Sequence, residues 1–168
     1  MMHFKQVLSV LFFFLISVCS LRAQDKVAEK AINLSLDTWH KAAAEANFNA
    51  YFNLMTTDAV FVGTDASEHW ELEAFKAYSK PHFDAGRAWN FSALERHVYI
   101  ASANLAWFDE LLDTQMGICR GSGVIKYEDH TWKVAHYVLS AAIPNAKMNT
   151  VSVLKSTEDS TIITSFSK

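Results

Sequence analysis

Between Ala106 and Ser140 the chain reads AWFDELLDTQMGICRGSGVIKYEDHTWKVAHYVLS, and this stretch limits the possible folds more than any other. It divides into three strand-like runs, Leu105–Asp113, Gly117–Tyr127 and Thr131–Ala141. The short Thr114–Met116 link and the charged turn Glu128–His130 join them as an antiparallel meander. Alternate side chains of a strand point to opposite faces, so Trp132, Val134, His136, Val138 and Ser140 are expected on one face. The bulk of Trp132 predicts that this face is the buried one. With the hairpin centred near Asp129, Ser122 falls opposite His136 and Arg120 opposite Val138. The expected inner face then carries an arginine, a hydroxyl and an imidazole, which describes a polar-tipped pocket and not a plain core.

At the N-terminus, Lys5 precedes an apolar run from Val7 to Val18 and the small and polar residues Cys19 to Gln24. This is the layout of a cleavable secretory signal, with cleavage expected after Ala23 and a periplasmic or secreted destination. A run of about 12 residues falls short of the roughly 20 that span a bilayer, so no transmembrane anchor is expected. Acylation at Cys19 is the rival route, disfavoured by Val18, which stands where such a site wants a very small residue. Of 15 basic and 18 acidic residues, loss of residues 1–23 removes Lys5 and Arg22 and no acid, leaving a formal charge of −5. That balance argues against nucleic acid as a partner. About 145 residues remain, enough for one domain with a real core. Cys119 is then the one remaining thiol, read as a small buried hydrophobe, and neither zinc spacing nor a Cys–His nucleophile pattern accompanies it.

Upstream of the meander the period changes. Ala28, Ile32, Trp39, Ala43 and Ala46 recur at helical spacing between Asp25 and Ala46, a second short helix is expected over Phe48–Met55, and a short strand over Ala59–Val62. After Gly63 a loop rich in capping residues leads into a helix with Trp70, Ala74, Phe75 and Tyr78 on its apolar stripe, interrupted at Pro81 and ended by Gly86. The segment Trp89–Ile100 reads as a strand whose phase changes near Ser92–Ala93, the mark of a bulge. Helices first and a four-strand meander after predict an α+β cone, N-terminal helices packed on the concave face of a curved antiparallel sheet. Beyond Asn145 the tail, residues 146–168, is rich in Ser, Thr and Lys, and little order is expected there.

With these residues in place the chain resembles the SnoaL-like branch of the nuclear transport factor 2-like (NTF2-like) superfamily. The resemblance rests on Phe61-Val62-Gly63-Thr64-Asp65 followed by Trp70, on Ala106-Trp107-Phe108-Asp109-Glu110, on Arg120-Gly121-Ser122-Gly123-Val124, and on the closing Trp132 to His136, Ser140 and Pro144-Asn145. It spans about Asp25 to Asn145 and implies a cone with a pocket between the helices and the concave sheet. Val138 stands where many relatives carry a second histidine, so a two-histidine pair is not available. The superfamily holds isomerases, dehydratases, cyclases, ligand binders and interaction modules, so the resemblance implies a fold and leaves the reaction open.

Several side chains are candidates for chemistry. His136 exchanges protons near neutral pH if it lies inward, and otherwise is a neutral core histidine bonded to Ser122. Asp109 and Glu110 must face opposite ways, and Asp109 is expected inward with Trp107. Arg120 is suited to clamp an anionic ligand or to pair with one of these carboxylates. Asp65 caps the next helix or lines the pocket mouth, and Trp39, Trp70 and Trp107 supply core or pocket wall. Histidines 40, 69, 82, 97 and 130 show no metal spacing and are read as surface or capping residues, so neither metal nor cofactor is expected. Two functions follow. One is an exported pocket protein that binds a small hydrophobic or anionic molecule, or a partner, with no chemistry of its own. The alternative is a cofactor-free acid–base enzyme, of isomerase, dehydratase or cyclase type, using His136 and a carboxylate on a small carbonyl or hydroxyl compound. A homodimer through the outer sheet face, with Ile125, Tyr127, Tyr137 and Leu139 on it, is also expected.

Overall fold

A computed structural model describes residues 24–167. The expected signal segment and Cys19 lie outside the described residues. The first helix, α1, covers residues 24–44. Ile32, Leu36, Trp39 and Ala43 recur on one stripe and are buried, which fixes the side of α1 that meets the sheet. Each of the three larger ones contributes on the order of 2 kcal/mol by leaving water. The helix ends where Ala46 takes a positive φ of 51°, and Asn47 restarts the chain by accepting the Ala50 N–H on its side chain, capping α2 (Phe48–Asn53).

The strands that follow are β1 (Met55–Val62), β2 (His69–Glu71), β3 (Phe91–Ser102), β4 (Leu105–Thr114), β5 (Gly117–Glu128) and β6 (Thr131–Ala141), with helix α3 (Leu72–Asp84) between β2 and β3. They form one sheet in the order β2-β1-β6-β5-β4-β3. The meander is as its alternation predicts. The sheet as a whole is mixed, however, because β1 runs parallel to β6. Trp70 belongs to β2, opposite Phe61, and not to the helix after it, and α3 continues through Pro81 to Asp84. The phase change expected near Ser92–Ala93 is a register shift between Ala93 and Glu95. Past Asn145 the chain is helical, with a 3-10 turn over Asn145–Lys147, α4 (Met148–Leu154) and α5 (Ser156–Phe166), none of which buries a side chain. Composition suggested little order there, and the helices rest on local hydrogen bonds, without a place in the core.

A single irregularity in β6 decides which face of the sheet is which. Ile125 pairs with Val134 but Val124 pairs with His136, so Ala135 is an extra residue, a β-bulge. Trp132 and Val134 face the helices, and after the bulge so do Tyr137 and Leu139. His136, Val138 and Ser140 turn to the opposite, outer face. His136, Ser122 and Arg120 share a face as predicted, but two residues out of the expected register: Ser122 pairs with Val138 and Arg120 with Ser140, in place of His136 and Val138. The predicted link of His136 to the buried Trp132 does not hold, because the bulge breaks the alternation on which that link depended.

Candidate functional site

The outer face therefore holds most of the residues proposed from sequence. Cross-strand pairs run His136, Val124, Trp107, Tyr99 in one row and Val138, Ser122, Asp109, His97 in the next, with Ser140, Arg120 and Leu111 beyond. No helix of the described residues buries them: Trp107 is 50% exposed and stacks on Tyr99 at 5.6 Å. His136, Asp109, Arg120, Ser122 and Trp107 do not line an inner pocket, which corrects the sequence assignment. The apolar residues expected on the outer face are corrected with them, since Ile125, Tyr137 and Leu139 are core and Tyr127 packs on Trp132 at 5.4 Å.

The inner face carries the carboxylate that the sequence left second. Glu110 lies in phase with Phe108 and Leu112, all buried, and its side chain is fully enclosed. The Nε2–H of His40 on α1 donates to its Oε1 at 2.8 Å, the Tyr137 hydroxyl donates to the same oxygen at 2.8 Å, and Arg96 Nε on β3 donates to Oε2 at 2.8 Å. Arg96 also reaches Asp37 Oδ1 at 2.8 Å and the Asn33 side chain at 3.2 Å, so α1 is clamped to β3 and β4 through charge. Burial alone would push Glu110 up, but the hydrogen bonds and charges of His40 and Arg96 outweigh it and lower the carboxyl from 4.5 to about 2. Burial, with Glu110 beside it, drives the Tyr137 phenol well above its ordinary value. A carboxylate so saturated with donors is a poor base, and this cluster holds the cone together.

Space opens toward the end of the cone where the β4–β5 turn, the ends of β1 and β6, and α3 meet. A cleft of about 270 Å³ lies there, with Phe61, Phe75, Phe91 and Leu139 at its floor, Trp70, Tyr78 and Trp89 as walls, and Glu68, His82, Arg87 and Gln115 among its polar lining. The rings are layered. Phe61 stacks on Phe75 at 4.1 Å and 13°, Trp70 on Tyr78 at 4.4 Å and 26°, and Phe75 faces Trp89 at 5.7 Å and 22°. Phe91 meets the His40 ring edge-on at 5.8 Å, which places the charge cluster one layer behind the cleft.

Of the sequence candidates, Trp70 alone lines this cleft. Trp39 is core, stacked on Tyr51 at 4.9 Å, with an indole N–H that finds no partner among the described residues. Asp65 is exposed on the β1–β2 loop, where its carboxylate accepts the Ser67 N–H at 2.9 Å. It caps a turn and not α3, whose N-cap is Glu71. The missed residues did leave signals. His40 lies on the Ile32–Leu36 stripe, and Arg96 shares a phase with Val98 and Ile100. Among the described residues no three His, Cys, Asp or Glu side chains gather at metal-binding spacing, and no helix is long and apolar enough to cross a membrane.

The architecture defines an α+β cone, with helices on the inner face of a six-stranded sheet and an aromatic cleft at its open end. A family model described as SnoaL-like domain matches residues 32–144, and the chain belongs to that family. Among solved structures it is similar to an NTF2-like protein of unknown function from Pseudomonas putida, at 17% identity over 71% of this chain and 90% of that one with a TM-score of 0.60. It is also similar to a candidate scytalone dehydratase from Novosphingobium aromaticivorans, at 10% identity over 73% and 89% with a TM-score of 0.64. A candidate NTF2-like dehydratase from Streptomyces avermitilis resembles it at 11% identity over 71% and 99%, with a TM-score of 0.63. At these identities the likeness establishes the fold alone. Comparison with curated proteins finds no match.

Proposed function

We propose that this is an exported single-domain protein that binds a small, flat, largely apolar molecule in the open-end cleft and performs no chemistry on it. One observation carries the reading: the layered rings of Trp70, Tyr78, Phe75 and Trp89 border an open volume while the nearest buried carboxylate, Glu110, is already saturated by three donors. Solvent-reachable aromatic surface with a few polar groups at its edge is what a ligand site needs, and the one imidazole in the lining, His82, is paired with no carboxylate among the described residues. Export is supported by the apolar run Val7–Val18 and the small and polar residues that follow it.

The protein pairs as a homodimer through the outer sheet face. Support comes from the exposed Trp107 and Tyr99 beside Val124 and Val138, an apolar centre that water covers at a cost.

Thermal-shift measurements with planar aromatic, sterol-like and polyketide-like compounds test the binding reading, because a ligand of the folded state alone raises the melting temperature. At least one flat aromatic compound is expected to do so in the wild type and not in Trp70→Ala. If no compound shifts the transition, or if the variant responds equally, the cleft is not the site.

A further inference from the structure

The cleft has one cation, Arg87, that no carboxylate among the described residues pairs. Helix α3 ends in a paired turn: the Gly86 N–H, at a φ of 65°, donates to Phe83 O at 2.9 Å, and the Arg87 N–H donates to His82 O at 3.0 Å. This Schellman motif sets the backbone of Arg87 at the cleft edge. Among the described residues its guanidinium enters no ion pair, whereas Lys76 and Lys80 on the preceding helix are both paired. Glu68, the other charged residue of the lining, is turned back on its own loop. Its Oε2 accepts the Asp65 N–H at 3.1 Å and lies 2.1 Å from where a Cβ on Gly63 would stand. The volume, about 270 Å³, lies just below the roughly 300–1,000 Å³ of ligand pockets, so the occupant is small.

We infer that the cleft selects a planar molecule of one or two rings carrying a single carboxylate, its rings against Trp70 and Trp89 and its anion on the Arg87 fork. The inference rests on the reading of the cleft as a binding site. A planar carboxylate matches the two parallel N–H donors of a guanidinium, and ring stacking leaves the charged end at the solvent side. Glu68 works against the anion, so the two charged residues have opposite effects on its affinity.

Quenching of tryptophan fluorescence, with Trp70 and Trp89 in the cleft, measures this with three probes: 2-naphthoate, neutral 2-naphthamide and cationic 2-naphthylmethylammonium. Wild type is expected to bind the naphthoate roughly 10-fold more tightly than the amide, with the ammonium weakest, and to lose this preference as salt is raised. Arg87→Gln is expected to remove the preference for naphthoate while binding the amide unchanged. Glu68→Gln is expected to strengthen naphthoate. Arg87→Gln leaves Gly86 and the exposed backbone turn in place, so its melting temperature should match wild type and a folding failure would be visible there. Equal affinities for all three probes, or naphthoate binding undiminished in Arg87→Gln, overturns the anion selection and leaves the cleft a site. Saturable quenching by none of the three overturns the cleft reading itself.

Discussion

The Tyr137 hydroxyl lies 2.8 Å from Glu110 Oε1, and the two can meet because Gly121, on the strand between them, has no side chain. A Cβ there would stand 2.1 Å from the hydroxyl and 3.0 Å from Glu110 Cγ. Tyr137 is fully buried, edge-on to Trp39 at 4.9 Å, and cannot swing aside. Close packing turns a single methyl into a repacking problem.

Gly121→Ala is therefore expected to destabilise the domain by about 1–3 kcal/mol, the usual cost of overpacking a core. Urea denaturation monitored by tryptophan fluorescence gives the number. A loss below about 0.5 kcal/mol would mean that the Tyr137–Glu110 contact is not held as described.

The two acids that hold Arg96 should differ sharply. Arg96 is only 6% exposed and Glu110 not at all, so Glu110→Gln leaves that buried cation with Asp37 alone at its solvent side and is expected to cost about 3 kcal/mol, the low end for breaking a buried pair. Asp37, 63% exposed, bridges the same guanidinium from solvent, and Asp37→Ala should cost no more than about 1 kcal/mol. Similar losses for the two variants would contradict the clamp.

Acid should unfold the protein through the same carboxylate. Glu110 is held near 2 when folded and has its ordinary value of 4.5 when released, so the unfolded chain binds the proton first. The stability this provides is fully present above about pH 4.5 and is lost as pH falls toward 2. It amounts to on the order of 3 kcal/mol. Denaturation midpoints measured from pH 6 down to pH 2.5 should fall more steeply for wild type than for Glu110→Gln; parallel slopes would exclude Glu110 as the source.

On the outer face, Trp107→Asp puts a charge at the centre of the apolar patch. It is expected to convert a dimer to a monomer in light scattering while the cleft binds its ligand as before. His136→Gln, on the same face, should change cleft affinity by less than about 2-fold, since distant sites act independently. A wild-type monomer at high micromolar concentration would remove the dimer, and a large loss of cleft binding in His136→Gln would mean that the sheet face is assigned to the wrong side.

The sequence by itself determined the first helices and the four-strand meander in their order, though not β2 or the helices after Asn145, because periods of 3.6 and 2 are local properties that burial imposes on a chain. The stripe through Ile32, Trp39 and Ala43, the four alternating strands and the phase change before Glu95 were all legible. So was the grouping of His136 with Ser122 and Arg120, since alternation on paired strands does not depend on what lies above them. Only the tertiary structure decided which face is inside. Both phases of Ala106-Trp107-Phe108-Asp109-Glu110-Leu111-Leu112 are mostly apolar with one acid each, so neither marks itself as core. The one large residue that seemed to settle it, Trp132, is separated from His136 by a bulge at Ala135 that no periodicity reveals. Register and bulge are fixed by how α1 and the strands pack together, through contacts such as His40 with Glu110 that span 70 positions in the chain. The cleft has the same origin: Trp70, Tyr78, Arg87 and Trp89 come from a strand, a helix and a loop, and their convergence exists only once β1 and β6 have paired.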